Sequence, residues 1–245
     1  MNLIATNASP MSQLVAAFDD ATKNIKAGAL AFIDGKRTAA TARAFIGLSK
    51  NSKMPAYTFA IPARQSCPRG DKLAQVPGTV CSGCYATKGH DAMAPAKAAK
   101  ARRWAVADLA AKHSEIKALW IEAYQIAMAK ESYFRWHSAG DLYSAEYTYL
   151  VATAIKATPH IRHWIPTRQA NQAPILHAIP NAVVRVSDDM VNQKANKWRG
   201  YTSGVHTADN GGRGETCNAN KNGGSCGDCR QCWNPAVKHI SYELH

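Results

Sequence analysis

The chain has 245 residues, 46% of them hydrophobic and 19% charged, which excludes a disordered chain and is enough for one α/β domain with a core plus a small appended module. The formal net charge is +13. That suggests a polyanionic partner, a nucleic acid or a nucleotide, and equally fits a merely basic protein.

The opening MNLIATNASPMSQLVAAF has neither a basic start nor a long apolar run, so no secretion signal is expected and the cytoplasm is the expected location. No run of about 18 apolar residues occurs, so no membrane partner is expected. Ser9-Pro10 is expected to open a helix reaching about Lys26. Residues 34–55 read as polar and irregular, broken by Gly35, Gly47 and Pro55. Tyr57, Phe59 and Ile61 then alternate as in a strand. A cysteine-bearing loop follows, from Cys67 to about Gly89.

Residues 93–130 have helical spacing, with Ser114 as an N-cap that divides them into two helices. Strand and helix then alternate. Tyr133–His137, Ile161–Ile165, Ala182–Ser187 and Ser203–His206 read as strands. Ser144–Lys156, Ala170–Ile179 and Asp189–Lys197 read as helices between them. Such alternation implies an α/β fold whose parallel sheet forms a partial or small barrel. Three segments are expected: a helical and irregular start over 1–55, the α/β domain over 56–209, and a cysteine-rich metal-binding tail over 210–245.

Seven cysteines fall into two groups. Cys67, Cys81 and Cys84 have the spacing C-x13-C-x2-C. Thiolates are soft ligands, and a C-x2-C turn, here freed by Gly83, can present two of them to one centre. Three thiolates leave one position open, as a catalytic centre requires. The alternative is zinc completed by His90 or another residue. Cys217, Cys226, Cys229 and Cys232 have the spacing C-x8-C-x2-C-x2-C. Their core CGDCRQC resembles the tight loop of bacterial ferredoxins, with Trp233 where proline is usual. A second 4Fe–4S cluster and a structural zinc both fit this group, and the two groups sharing one site is a third arrangement.

Three strands in succession end in polar residues: Gly140-Asp141, Thr167-Arg168, and Ser187 with Asp189. The carboxyl ends of parallel strands are where α/β folds place their chemistry. This order resembles the radical S-adenosylmethionine enzymes, in which a first strand leads into a three-cysteine loop closed by C-x2-C beside an aromatic residue, here Tyr85. The resemblance implies a 4Fe–4S cluster on Cys67, Cys81 and Cys84, with S-adenosylmethionine on its open iron. It also implies cofactor contacts from Gly140, Asp141, Thr167, Arg168, Ser187 and Asp189, and a reductant such as flavodoxin or ferredoxin. Asp141 stands where that superfamily has glutamate, and would meet the methionine amino group.

More narrowly, the blocks SKNSKMP, CSGCYATKG, FRWHSAGDL, WIPTR and CRQCWNPAVKHISY resemble the phage Gene product 88 family over roughly residues 48–242. That likeness implies a phage or prophage origin, hence the host cytoplasm, and little chemistry. The rival expectation is a non-enzymatic, metal-stabilised nucleic-acid-binding protein. Lys97, Lys100, Arg102 and Arg103 beside Trp104 would then grip phosphates or form a solvated helix face. Trp136 and Trp164 are expected in the core. Arg135 and His137 are expected to line a barrel interior, the histidine more as a satisfied core residue than as a ligand.

Overall fold

The computed structural model describes residues 8–50, 52–194 and 200–244. Its strands are β1 (Ser49–Lys50), β2 (Tyr57–Ala60), β3 (Tyr133–Ala139), β4 (Arg162–Thr167), β5 (Ala182–Val191), β6 (Tyr201–His206), β7 (Glu215–Thr216) and β8 (His239–Glu243). They form one sheet in the order β1-β2-β3-β4-β5-β6-β8-β7. Only β1 and β2 pair antiparallel; every other neighbouring pair is parallel. The α/β class with a parallel sheet is therefore as expected, and the order is open, with β1 and β7 at its ends.

The helices are α1 (Pro10–Ala16), α2 (Lys23–Ile33), α3 (Ala39–Ile46), α4 (Pro68–Leu73), α5 (Ala94–Lys112), α6 (Ser114–Met128), α7 (Ala145–Lys156) and α8 (Ala173–His177). All except α4 contribute to one core against a single face of the sheet, where Phe59, Phe134, Trp136, Ile165, Val184 and Val186 are buried. Alternation along the strands sends Tyr133, Arg135, Trp164 and Arg185 to the other face. There a second apolar cluster joins Met54, Ala56 and Trp164 to Trp233, with Cys226, Cys232 and Tyr242 packed on it. The molecule thus has helices on one face of its sheet and the cysteine-rich segment on the other.

Several sequence expectations are corrected. The single helix over Ser9–Lys26 is two helices, because Asp19 and Asp20 are poor helix interiors. Lys26 reaches back over the break to Asp19 at 2.8 Å. Residues 34–55 contain a helix, α3, capped by the reciprocal pair Thr38 and Thr41 and ended by Gly47 at φ +77. Ser144 caps α7 as expected, accepting from the Tyr147 amide. Ser114 instead opens α6, with His113 as the cap.

The helix expected over Asp189–Lys197 begins as strand. β5 runs on to Val191, and the side-chain oxygen of Gln193 accepts from the Asp189 and Met190 amides. Residues 195–197 of that expected helix lie outside the described residues. The boundaries at 55/56 and 209/210 are crossed by core and sheet alike, since α1–α3 share the main core and β8 sits between β6 and β7.

Two strands bulge at their carboxyl ends. Between Thr58↔Arg135 and Ala60↔Ala139, one residue of β2 faces three of β3. Between Ser187↔Ser203 and Val191↔Val205, three residues of β5 face one of β6. Bulges re-aim side chains and favour the neighbourhood of functional sites. The first holds His137 at φ +52 and turns it, like Trp136, to the helical face. His137 therefore lines no barrel interior but hydrogen-bonds Tyr147 Oη at 2.9 Å, as a core histidine does.

Candidate metal centre

The chain leaves β2 through Ile61-Pro62 and turns at Arg64, whose φ is +71. Ser66 is fully buried and its hydroxyl donates to the Pro62 carbonyl at 2.7 Å. The Ser66 carbonyl accepts from the Asp141 amide at 3.1 Å, which fastens the loop to the end of β3. This approach requires Gly140. It sits at φ +85, and a Cβ there would meet Ile61 Cγ1 at 2.2 Å and Ser66 Oγ at 2.7 Å.

Cys67 is the N-cap of α4, with Pro68 in the first turn. Thr79 folds the loop back by donating to the Leu73 carbonyl at 2.7 Å and accepting from the Ser82 amide. Cys81 and Cys84 flank that tight turn. The Cys67 and Cys81 sulfurs lie 4.0 and 3.5 Å from the point a Cβ on Gly70 would occupy, so the two thiols border one hollow floored by a glycine. The loop is also pinned to β5: Thr79 bridges Met190, and the Val191 amide donates to the Gly78 carbonyl at 3.1 Å.

Electrostatics unite the three thiols. Burial pushes the Cys67 thiol up to about 12, and the Asp141 carboxylate, Cys84 and Cys81 add to the rise. Burial also raises Cys81, while the Arg168 guanidinium opposes it. Bare thiolates here would repel one another, so the pocket favours either protonated thiols or a positive centre that deprotonates them.

The strand-end residues are partly brought together. Asp141 is 5% exposed. Its carboxylate accepts from the Thr167 hydroxyl at 2.5 Å and from the Leu142 and Arg168 amides at 2.8 and 2.9 Å. Gly140, Asp141, Thr167 and Arg168 thus form one knot joining the ends of β3 and β4. The Arg168 guanidinium donates to the Asp188 carbonyl at 3.3 Å, and its Nε has no hydrogen-bond partner.

Asp189 is ion-paired with Arg69 of α4, the Nε to Oδ1 distance being 3.1 Å, and so clamps the cysteine loop to β5. Ser187 stands apart from this group, with its hydroxyl 3.2 Å from that of Ser203 on β6. His90, the candidate fourth zinc ligand, lies on a groove beside Lys100 and Arg103.

The second group sits on the other face of the sheet. The Cys217 amide donates to the Ser241 carbonyl at 2.8 Å, and the Cys226 amide to the Lys53 carbonyl at 2.9 Å. The Cys232 sulfur is 3.4 Å from Tyr242 Oη. Burial raises the Cys232 thiol to about 11, opposed by the Tyr242 hydrogen bond and by the Arg185 and Arg135 charges. Cys217 and Cys229 raise Cys226 by their charge, after burial. Each shifted thiol is coupled to other cysteines of its own group.

Arg185, fully buried in β5, holds this segment down. It donates to the carbonyls of Cys232, Val237, Gln231 and Asn234 at 3.0–3.2 Å. Trp233 adds a hydrogen bond to the Phe134 carbonyl at 2.8 Å. Neither Arg185 nor Arg69 was among the expected site residues. The signal for Arg185 was present, since a charge in the middle of the buried run AVVRVS requires partners.

All seven cysteines are free. Among the described residues, no three His, Cys, Asp or Glu side chains converge closely enough to hold a metal ion. The donor chemistry nevertheless fits a thiophilic centre: three unpaired thiols share one loop, with a glycine-floored hollow between two of them, and a cation lies opposite. Closing the ligands on a metal would take side-chain rotation coupled to binding.

The family model described as Gene product 88 matches residues 30–235. No curated protein and no solved structure matches the chain.

Proposed function

We propose that this chain, which belongs to the phage Gene product 88 family, is an iron–sulfur protein that works as a radical-S-adenosylmethionine-like enzyme. The observation that carries the reading is the three-thiol loop fastened across the carboxyl ends of β2, β3 and β5, with Arg168 acting on Cys81. Cys67, Cys81 and Cys84 would hold the cluster. When bound with one iron unligated by protein, a 4Fe–4S cluster supplies the electron that cleaves the sulfonium of S-adenosylmethionine.

The chain's own residues would orient and shield. Arg168, with an unpartnered Nε, offers a charge for the cofactor's carboxylate. Asp141 is already engaged by three donors, so its part is to hold the Thr167 and Arg168 ends in place. The sheet, curved as a partial barrel, and the C-terminal segment across its second face would keep water out. Cys217, Cys226, Cys229 and Cys232 would hold a second cluster or a structural zinc. A flavodoxin or ferredoxin would supply electrons, and the host cytoplasm, which keeps thiols reduced, is the proposed setting.

Iron, sulfide and zinc analysis of anaerobically purified protein tests this reading. Cys84→Ala is expected to lose one centre and stay folded. Cys229→Ala is expected to keep the first centre and lose order in the tail, where metal binding is folding energy. Loss of all metal from both variants would contradict separate sites, and a wild-type protein with zinc alone would contradict the iron–sulfur assignment.

A further inference from the structure

A groove of about 720 Å³ runs along the second face of the sheet beside the cysteine loop. Lys50, Lys100, Arg103 and Arg135 line it, against a single carboxylate, Asp91. Lys100 is paired with Asp91. The other three cations meet neutral groups only. Lys50 lies over the Tyr57 ring at 4.9 Å. Arg103 donates to the Gly47 and Ala60 carbonyls and, at 2.9 Å, to the Ser49 hydroxyl. Arg135 stacks on Trp164 at 4.6 Å, and its Nε has no hydrogen-bond partner.

The floor carries a second sign of a missing ligand. Thr58 is 4% exposed and lines the groove, yet its hydroxyl has no hydrogen-bond partner. A buried polar group left unmade is costly, and one on a residue that lines a cationic groove gains a partner where an anion's oxygen reaches it. At the mouth, Tyr85 and Met93 are 61% and 55% exposed and offer an aromatic and an apolar surface.

We propose that this groove binds a phosphate-bearing small molecule of nucleotide size. Its phosphates would meet Lys50, Arg103 and Arg135 and accept from Thr58, and its base would lie against Tyr85 and Met93. Several uncompensated cations call for more than one negative charge. The volume lies in the range of small-molecule sites and exceeds what a lone phosphate fills. Arg135 also lowers the Cys226 and Cys232 thiols, so the ligand would sit within electrostatic reach of the second cysteine group. The proposal does not depend on what the cysteines hold.

Calorimetric titration of the full-length, anaerobically purified protein with ATP, pyrophosphate and adenosine tests it. ATP is expected to bind at low salt and to weaken as salt screens the cations. Pyrophosphate should compete with ATP, and adenosine alone should not bind. Lys50→Gln should weaken ATP binding about tenfold, the size of one lost charge-assisted contact. Thr58→Val should weaken it several-fold while raising the melting temperature of the ligand-free protein, since it removes an unpartnered hydroxyl. Absence of ATP binding at low salt, adenosine binding as tightly as ATP, or ATP binding unchanged in both variants would overturn the proposal.

Discussion

Single residues decide what the rim of this sheet can do. Gly140 and Asp141 were legible in the sequence as a strand-end pair, and the structure gives each a physical task. The glycine permits the approach of the cysteine loop, and the aspartate ties two strand ends together. That Asp141 accepts from the Thr167 hydroxyl and two backbone amides was not legible, because strand ends are polar whether they face a ligand or a neighbour.

Two buried histidines carry a pH dependence. Burial depresses His137 to about 3, helped by the Arg135 charge. It depresses His163 to about 3 as well, where the ring bonds Trp136 Nε1 at 3.1 Å and Thr158 Oγ1 at 3.1 Å. Below pH 6.5 the unfolded chain takes up protons that the folded chain refuses until about pH 3. Stability is therefore expected to fall with acid across that window, by up to about 1.4 kcal/mol per histidine per pH unit. Denaturant midpoints at pH 7, 5.5 and 4.5 check this, and His137→Gln should flatten the slope; an unchanged slope would contradict the assignment.

At the scale of elements, long periodic segments were readable and local exceptions were not. β3, β4 and α7 lie close to their expected bounds because period-two and helical patterns are strong there. α3 was missed because its cap uses two threonines and its flanking glycines read as breakers, although Gly47 is in fact a helix stop. The end of β5, from Asp189 on, was read as the start of a helix, whereas the bulge and the Gln193 side chain keep the backbone extended. The basic stretch of α5 was read as a phosphate grip or a solvated face. It is divided: Lys97 is exposed, while Lys100 and Arg103 turn into the groove.

The cysteine-rich segment depends on an element-scale latch, Arg185. Arg185→Met would remove four hydrogen bonds to carbonyls of that segment and is expected to cost about 1–3 kcal/mol, the penalty for acceptors left unmade. Limited proteolysis should then cut between β6 and β8 while the helical face stays protected. Resistance equal to wild type would mean that Trp233 and the thiols suffice to hold the segment.

In the whole molecule, one sheet serves two unlike layers. The helical face is a conventional apolar core. The other face carries arginines, threonine and serine under a segment held by carbonyl contacts and thiols. The +13 charge is thus partly internal, since Arg185 is fully buried under the cysteine-rich segment. No helix of the described residues is long and apolar enough to cross a membrane.

A cluster on Cys67, Cys81 and Cys84 with one iron open is tested by electron paramagnetic resonance of the reduced protein with and without S-adenosylmethionine. The cluster signal is expected to shift when the cofactor is added and to disappear in Cys81→Ala. A reducible cluster whose signal is indifferent to the cofactor would contradict it.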